Sequence, residues 1–206
     1  PDENGEASIK KIAFDYRYEL TVREKISGKF TTVWTMPKNM TILPVSPVWA
    51  PNSRMLAFYA KEYRVKEDPR GAYSLFIFNL DNKQLIIVQT QVFAIAGYSS
   101  KIEMGEFTPN WSSDSSYLIV QYQPFGLPTE SSILKYEILS GRKIYLNNSK
   151  GDKQYPTWSP SNQRISFFSS RDGDGIQLYV TNADGNGLKR VSPAGGVTEW
   201  ARWHQF

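Results

Sequence analysis

Tyr155-Pro156-Thr157-Trp158-Ser159-Pro160-Ser161-Asn162-Gln163-Arg164-Ile165-Ser166-Phe167 decides the fold of this chain, because looser copies of it recur before and after. Pro156 and Trp158 mark a short strand, Ser159 to Asn162 is a run of turn formers, and Arg164-Ile165-Ser166-Phe167 alternates polar and apolar with a period of two. The unit is a strand, a turn and a second strand.

Copies begin at Pro47-Val48-Trp49-Ala50-Pro51-Asn52-Ser53 and at Pro109-Asn110-Trp111-Ser112-Ser113-Asp114-Ser115, and a fourth starts at Ala201-Arg202-Trp203. The tryptophans at 49, 111, 158 and 203 are 62, 47 and 45 residues apart. The last two steps match the roughly 40 to 50 residues of a four-stranded blade in a radial repeat, and the first absorbs two insertions. Each full copy is followed by a loop and a hairpin, across Asp81-Asn82, Ser140-Gly141 and 183–187. Ahead of the first copy the alternation gives strands at 8–18, 30–36 and 40–45, with a polar loop at 19–29. No stretch keeps a helical period, so the chain is all-β.

The turns differ in chemistry: Asn52-Ser53, Asp114-Ser115 and Ser161-Asn162 occupy the same place. Asn tolerates the left-handed conformation better than Ser does, which predicts that the first two turns are of another type than the third.

The composition is that of a globular chain, 40% apolar and 21% charged, and the 14% aromatic content suits strands. A net charge of +4 is scattered among acids, as in Arg23-Glu24-Lys25, so no nucleic-acid surface is expected. There is no cysteine, which excludes disulfides and Cys-based zinc sites from these 206 residues. No apolar run has the roughly 18 residues of a spanning helix, and no direct membrane insertion is expected.

The motifs from Pro156 to Val191, namely Ser159-Pro160, Ser170-Arg171-Asp172-Gly173, Tyr179-Val180 and Asn182-Ala183-Asp184-Gly185, resemble the repeat of TolB-type β-propellers. The resemblance implies a β-propeller, and the copies counted in this chain give a single domain over 1–206 with about four blades of four antiparallel strands and a flexible arm at 1–8. It departs from the family in blade number. Three N-terminal strands and one C-terminal strand are complementary, so the strand around Trp203 is expected to pair beside 8–18 and close the ring. The alternative is an open arc of a larger propeller, which could self-associate. The resemblance also implies an extracytoplasmic location, periplasmic or secreted, and a scaffold that works through protein contacts.

Chemistry was sought residue by residue. His204 is the sole histidine, which leaves a serine triad one base and excludes a two-histidine metal site. Gly97-Tyr98-Ser99-Ser100-Lys101 lacks the second glycine of a nucleophile elbow, and Ser8-x-x-Lys11 and Ser132-x-x-Lys135 fall on strands. Asp172 and Asp174 lack the later ligands of a calcium loop. The expectation is therefore no enzyme, no metal and no cofactor.

Long connections are the informative feature. In a propeller the loop between the second and third strands shares a face with the connection from the outer strand to the next inner one. The stretches 19–29, 61–70, 93–107 and 123–130 are assigned to these classes, and long loops in compact domains are commonly functional. Tyr63, Arg64, Arg70, Tyr98 and Phe125 supply the aromatic and Arg anchors that interfaces favour, so a protein or peptide partner is expected there. The alternatives are a small-molecule or carbohydrate site in the central channel and a fragment of a larger propeller protein.

Overall fold

The computed structural model describes residues 6–11, 18–23, 26–37, 40–42, 47–62, 72–94, 108–123, 131–146, 151–193 and 203. All regular structure among them is strand, in four antiparallel sheets. The chain forms two compact units, Pro1–Lys101 and Ile102–Phe206.

In the first unit, β1 (Glu6–Lys11), β2 (Tyr18–Arg23) and β3 (Phe30–Thr35) pair in that order. The second sheet runs β4 (Met40–Ile42), β6 (Met55–Glu62), β7 (Ala72–Asn79), β8 (Gln84–Ala94), and β5 (Val48–Trp49) also pairs with β6. Ile42 faces Ala60 and Val48 faces Ala57, so the inner strand lies in two pieces along one edge of β6. The strand expected at 40–45 thus belongs to the second sheet.

A second correction concerns 19–29, which is not a polar loop. Most of it is β2 and a tight turn, and Leu20, Thr21 and Val22 are buried. Charged neighbours at Glu19, Arg23, Glu24 and Lys25 mask the alternation of Leu20 and Val22 in the sequence. These two side chains enter one core with Met36, Leu56, Phe58 and Phe78, and Trp34 and Trp49 pack against it. Phe58 stacks on Phe76 with ring centroids 5.8 Å apart. Full burial of each Leu or Phe contributes about 1.5–3 kcal/mol, which makes this cluster the main cohesion of the unit.

In the second unit, β9 (Asn110–Trp111), β10 (Tyr117–Tyr122), β11 (Ser132–Glu137) and β12 (Lys143–Leu146) form one sheet. The other comprises β13 (Gln154–Trp158), β14 (Arg164–Ser169), β15 (Gln177–Asn182) and β16 (Lys189–Arg190). Ile119, Ile133 and Leu146 of the first sheet meet Trp158, Ile165, Phe167 and Tyr179 of the second in one core. Trp158 lies 5.9 Å from the ring of Tyr117, so the repeat tryptophan is an inter-sheet packing residue.

The three strand-to-strand turns share one backbone. Ala50, Ser112 and Ser159 each donate to the residue five positions on, and Ser53, Ser115 and Asn162 each donate back to them. Ser53, Ser115 and Asn162 all have φ between 57° and 60°. The expected split in turn type is therefore wrong. The preceding Asx residue compensates in the first two turns: Asn52 accepts from the Arg54 N–H and Asp114 from the Ser116 N–H, each at 3.0 Å.

Of the expected C-terminal clasp, only Trp203 is among the described residues. Its Nε1 donates to the Thr157 carbonyl at 3.4 Å, which seats the indole against the inner strand β13. The remainder of that strand, and His204, lie outside the described residues.

Candidate functional site

The two ends of the three sheets that carry the repeat are chemically distinct. At one end the turn after the inner strand meets the turn after the third strand: Leu80 N donates to Arg54 O, Ile138 N to Ser116 O and Ala183 N to Gln163 O. Three of the connections singled out in the sequence, 61–70, 93–107 and 123–130, are anchored at the opposite end of their own sheets. Ala72 pairs with Ala94, so the strand ends flanking 63–71 and 95–107 are neighbours. In the second unit, Tyr122 pairs with Ser132, Ile133 with Leu146 and Ser169 with Gln177, which anchors 124–130, 147–150 and 170–176 alike. Tyr63, Arg64, Arg70, Tyr98 and Phe125 themselves lie outside the described residues, as does Gly97 to Lys101.

Described residues at this end of the second unit form two polar clusters. Lys153 is buried; its Nζ donates to the carbonyls of Ser131 at 3.0 Å and Gly151 at 3.2 Å. Ser131 Oγ donates to the Lys153 carbonyl at 3.0 Å and accepts from the Lys153 N–H. These bonds tie the residue that opens β11 to the segment that opens β13. Gly151 has φ of +82°, and a Cβ there would come within 2.8 Å of the Arg171 backbone. Glycine is required for this close approach. Burial pushes the carboxyl of neighbouring Asp152 above the usual range, against the pull of Lys153.

The second cluster is an ion-pair network. Arg190 Nη1 lies 2.7 Å from Asp174 and 3.6 Å from Asp172, and Tyr179 donates its hydroxyl to Asp172. The Arg171 guanidinium lies 5.4 Å from the centroid of the Tyr179 ring. Burial and the Asp172 carboxylate push the Tyr179 phenol up to about 12, so it is a neutral donor at physiological pH. Both aspartates are thus occupied by their own sheet. Gln177, fully buried, accepts from Ser192 Oγ at 2.6 Å and fixes the same end of β15.

Reasoning from sequence missed Lys135. It sits on β11 beneath the other end of the sheets, with Nζ 2.7 Å from the Ala183 carbonyl and 4.5 Å from the Tyr117 ring centroid. Burial pushes its amine below the usual range. Its signal was a lysine at an inward-facing position of an alternating strand. Ser132 faces the other side of β11, which separates the Ser132-x-x-Lys135 pair.

With this architecture in view, similarity to known proteins is informative. No family model matches the chain. The Tol-Pal system protein TolB of Francisella tularensis subsp. mediasiatica is 28% identical over 86 residues, 41% of this chain and 19% of that protein. The structure of TolB from Acinetobacter baumannii superposes over 92% of this chain and 42% of that one, with a TM-score of 0.55 and 18% identity. Both likenesses bear out the resemblance of the repeat to that of TolB-type β-propellers. This chain spans about a fifth of the length of the curated TolB relative.

Peptidases share the likeness. An uncharacterized peptidase of Bacillus subtilis, YuxL, is 29% identical over 62 residues, 30% of this chain and 9% of that protein. A puromycin-hydrolyzing peptidase from Mycobacterium tuberculosis superposes over 89% of this chain and 26% of that one, with a TM-score of 0.56 and 12% identity. These relatives overturn the expectation that the chain is no enzyme. That expectation rested on catalytic groups within these 206 residues alone, whereas the chain covers 9% of YuxL and 26% of the puromycin-hydrolyzing peptidase.

Proposed function

We propose that residues 1–206 work as one protein- or peptide-binding propeller module within a larger extracytoplasmic assembly. It presents the end of its sheets that anchors 63–71, 95–107 and 124–130. The strand register within one sheet supports the reading, because it brings the ends flanking 63–71 and 95–107 side by side. Similarity to a Tol-Pal system protein supports both the kind of partner and the location. Tyr63, Arg64, Arg70, Tyr98 and Phe125 are the contacts.

Calorimetric titration of purified Tol-Pal components with this chain and with its Arg64→Ala/Arg70→Ala/Phe125→Ala variant tests the reading. Loss of three such anchors weakens binding by about a hundredfold or more. Equal affinity of the two proteins refutes the contact assignment.

A second reading, a propeller that accompanies a peptidase, is favoured by the likeness to YuxL and to the puromycin-hydrolyzing enzyme. Release of nitroaniline from peptide nitroanilides by the protein in its full natural length supports it. Absence of release across a panel of peptides counts against it.

A further inference from the structure

The hairpin of β2 and β3 has an end unlike any other described part of the first unit. Arg23 pairs directly with Phe30 across the two strands, and the guanidinium lies 5.7 Å from the ring centroid. Phe30 is 58% exposed and Ile26, at the apex of the turn, is completely exposed. The turn is tight: Gly28 adopts φ of +66°, and the Lys29 N–H donates to Ser27 Oγ at 3.1 Å. Two large apolar side chains are thus held in water on a hairpin, where burying either one would be favourable. Both charged residues described at this end, Arg23 and Lys29, are cations.

We propose that this hairpin end docks on an anionic lipid surface. Ile26 and Phe30 enter the boundary between headgroups and acyl chains, while Arg23 and Lys29 remain at the level of the lipid phosphates. Two observations select a lipid surface over a protein. Among the described residues the exposed apolar area at this end is two side chains wide, far short of the roughly 800 Å² per partner of a stable protein interface. Cations flank it closely, whereas the centres of protein interfaces are depleted of charge. An aromatic ring under a guanidinium suits the membrane interface, where the ring is buried and the charge stays hydrated. This is peripheral contact without a spanning segment.

Co-sedimentation of the 206-residue chain with phosphatidylcholine vesicles, with and without phosphatidylglycerol, provides the test. The chain pellets with the anionic vesicles at low salt, and retention falls as salt rises to physiological strength. Ile26→Ser/Phe30→Ser weakens partitioning at least about tenfold, since each side chain contributes more than a factor of ten when buried. Arg23→Gln/Lys29→Gln removes most of the dependence on phosphatidylglycerol. Thermal melting checks that both variants fold, and their exposed positions predict unchanged midpoints. No retention of the unaltered chain on anionic vesicles overturns the proposal. Equal retention of the Ile26→Ser/Phe30→Ser variant overturns it too, because binding would then reside in basic residues elsewhere. Loss of a protein partner by that variant, with vesicle binding absent, would assign the hairpin to a protein interface instead.

Discussion

The two ends of the sheets in the second unit solve the same problem, joining neighbouring strands, by opposite means. At the turn end, Ser112 and Ser159 hold equivalent bonds, and Asn162 reaches across to the Ser113 N–H at 2.8 Å, so one turn braces the next. At the loop end the bonds among the described residues do not repeat: one junction is fastened by Lys153 and Ser131, and the next by Arg190, Asp172, Asp174 and Tyr179. Repetition marks the end that maintains the fold. Individuality marks the end free to acquire partners.

The contrast can be broken most strongly at Lys153. Lys153→Ala strips one buried and one partly buried carbonyl of their donor and is expected to cost about 3 kcal/mol, read by denaturant unfolding. A loss under about 1 kcal/mol would show that the junction is not held by this residue. Gly151→Ala forces a Cβ into the Arg171 backbone at a positive φ and is expected to cost about 2–3 kcal/mol.

Tyr179→Phe separates the two clusters by their pH response. The phenol of the folded chain sits at about 12, above its unfolded value near 10, so its stabilisation is complete below about 10 and lost as pH rises through about 12. The variant is expected to be less stable at neutral pH by about 1.5–3 kcal/mol, the range for a hydrogen bond to a charged group. The gap between the two proteins should close across that alkaline window. A gap that stays constant to pH 12 would mean that the Asp172 bond does not set the titration.

Smaller effects sharpen the turn end. Asn162→Ser gives the third turn the residue that the first two have at this position. It should cost about 1 kcal/mol through the lost bonds to Ser113 while leaving the backbone unchanged, as amide exchange can verify. Ala50→Ser transfers to the first unit the hydroxyl that, in Ser112 and Ser159, accepts from the N–H five residues on. A gain of about 0.5 kcal/mol in the free energy of unfolding is expected from denaturant titration, the scale of one net hydrogen bond.

Tryptophan spacing and turn formers made the sheets and the turn end legible, because those positions are dictated by strand pairing and repeat in every copy. The strand Tyr18–Arg23 was hidden because only Leu20, Thr21 and Val22 are buried and charged residues follow them. Serine at a left-handed position misled as well. Propensity ranks Ser below Asn, yet the ladder on both sides fixes the turn and the Asx residue before it supplies the missing acceptor. Lys153 and Lys135 were illegible for a different reason: their acceptors are main-chain carbonyls, which every residue carries and no sequence pattern advertises.

The shared turn has a bearing on how such a chain changes length. Ser112 and Ser159 open the same hydrogen-bonded turn 47 residues apart, so a segment cut at these points ends in the middle of one joint and begins in the middle of an identical one. Copying or deleting that segment rejoins two halves that already match. Growth and shortening in whole blades therefore need no newly evolved connection, whereas an insertion of any other length must invent one.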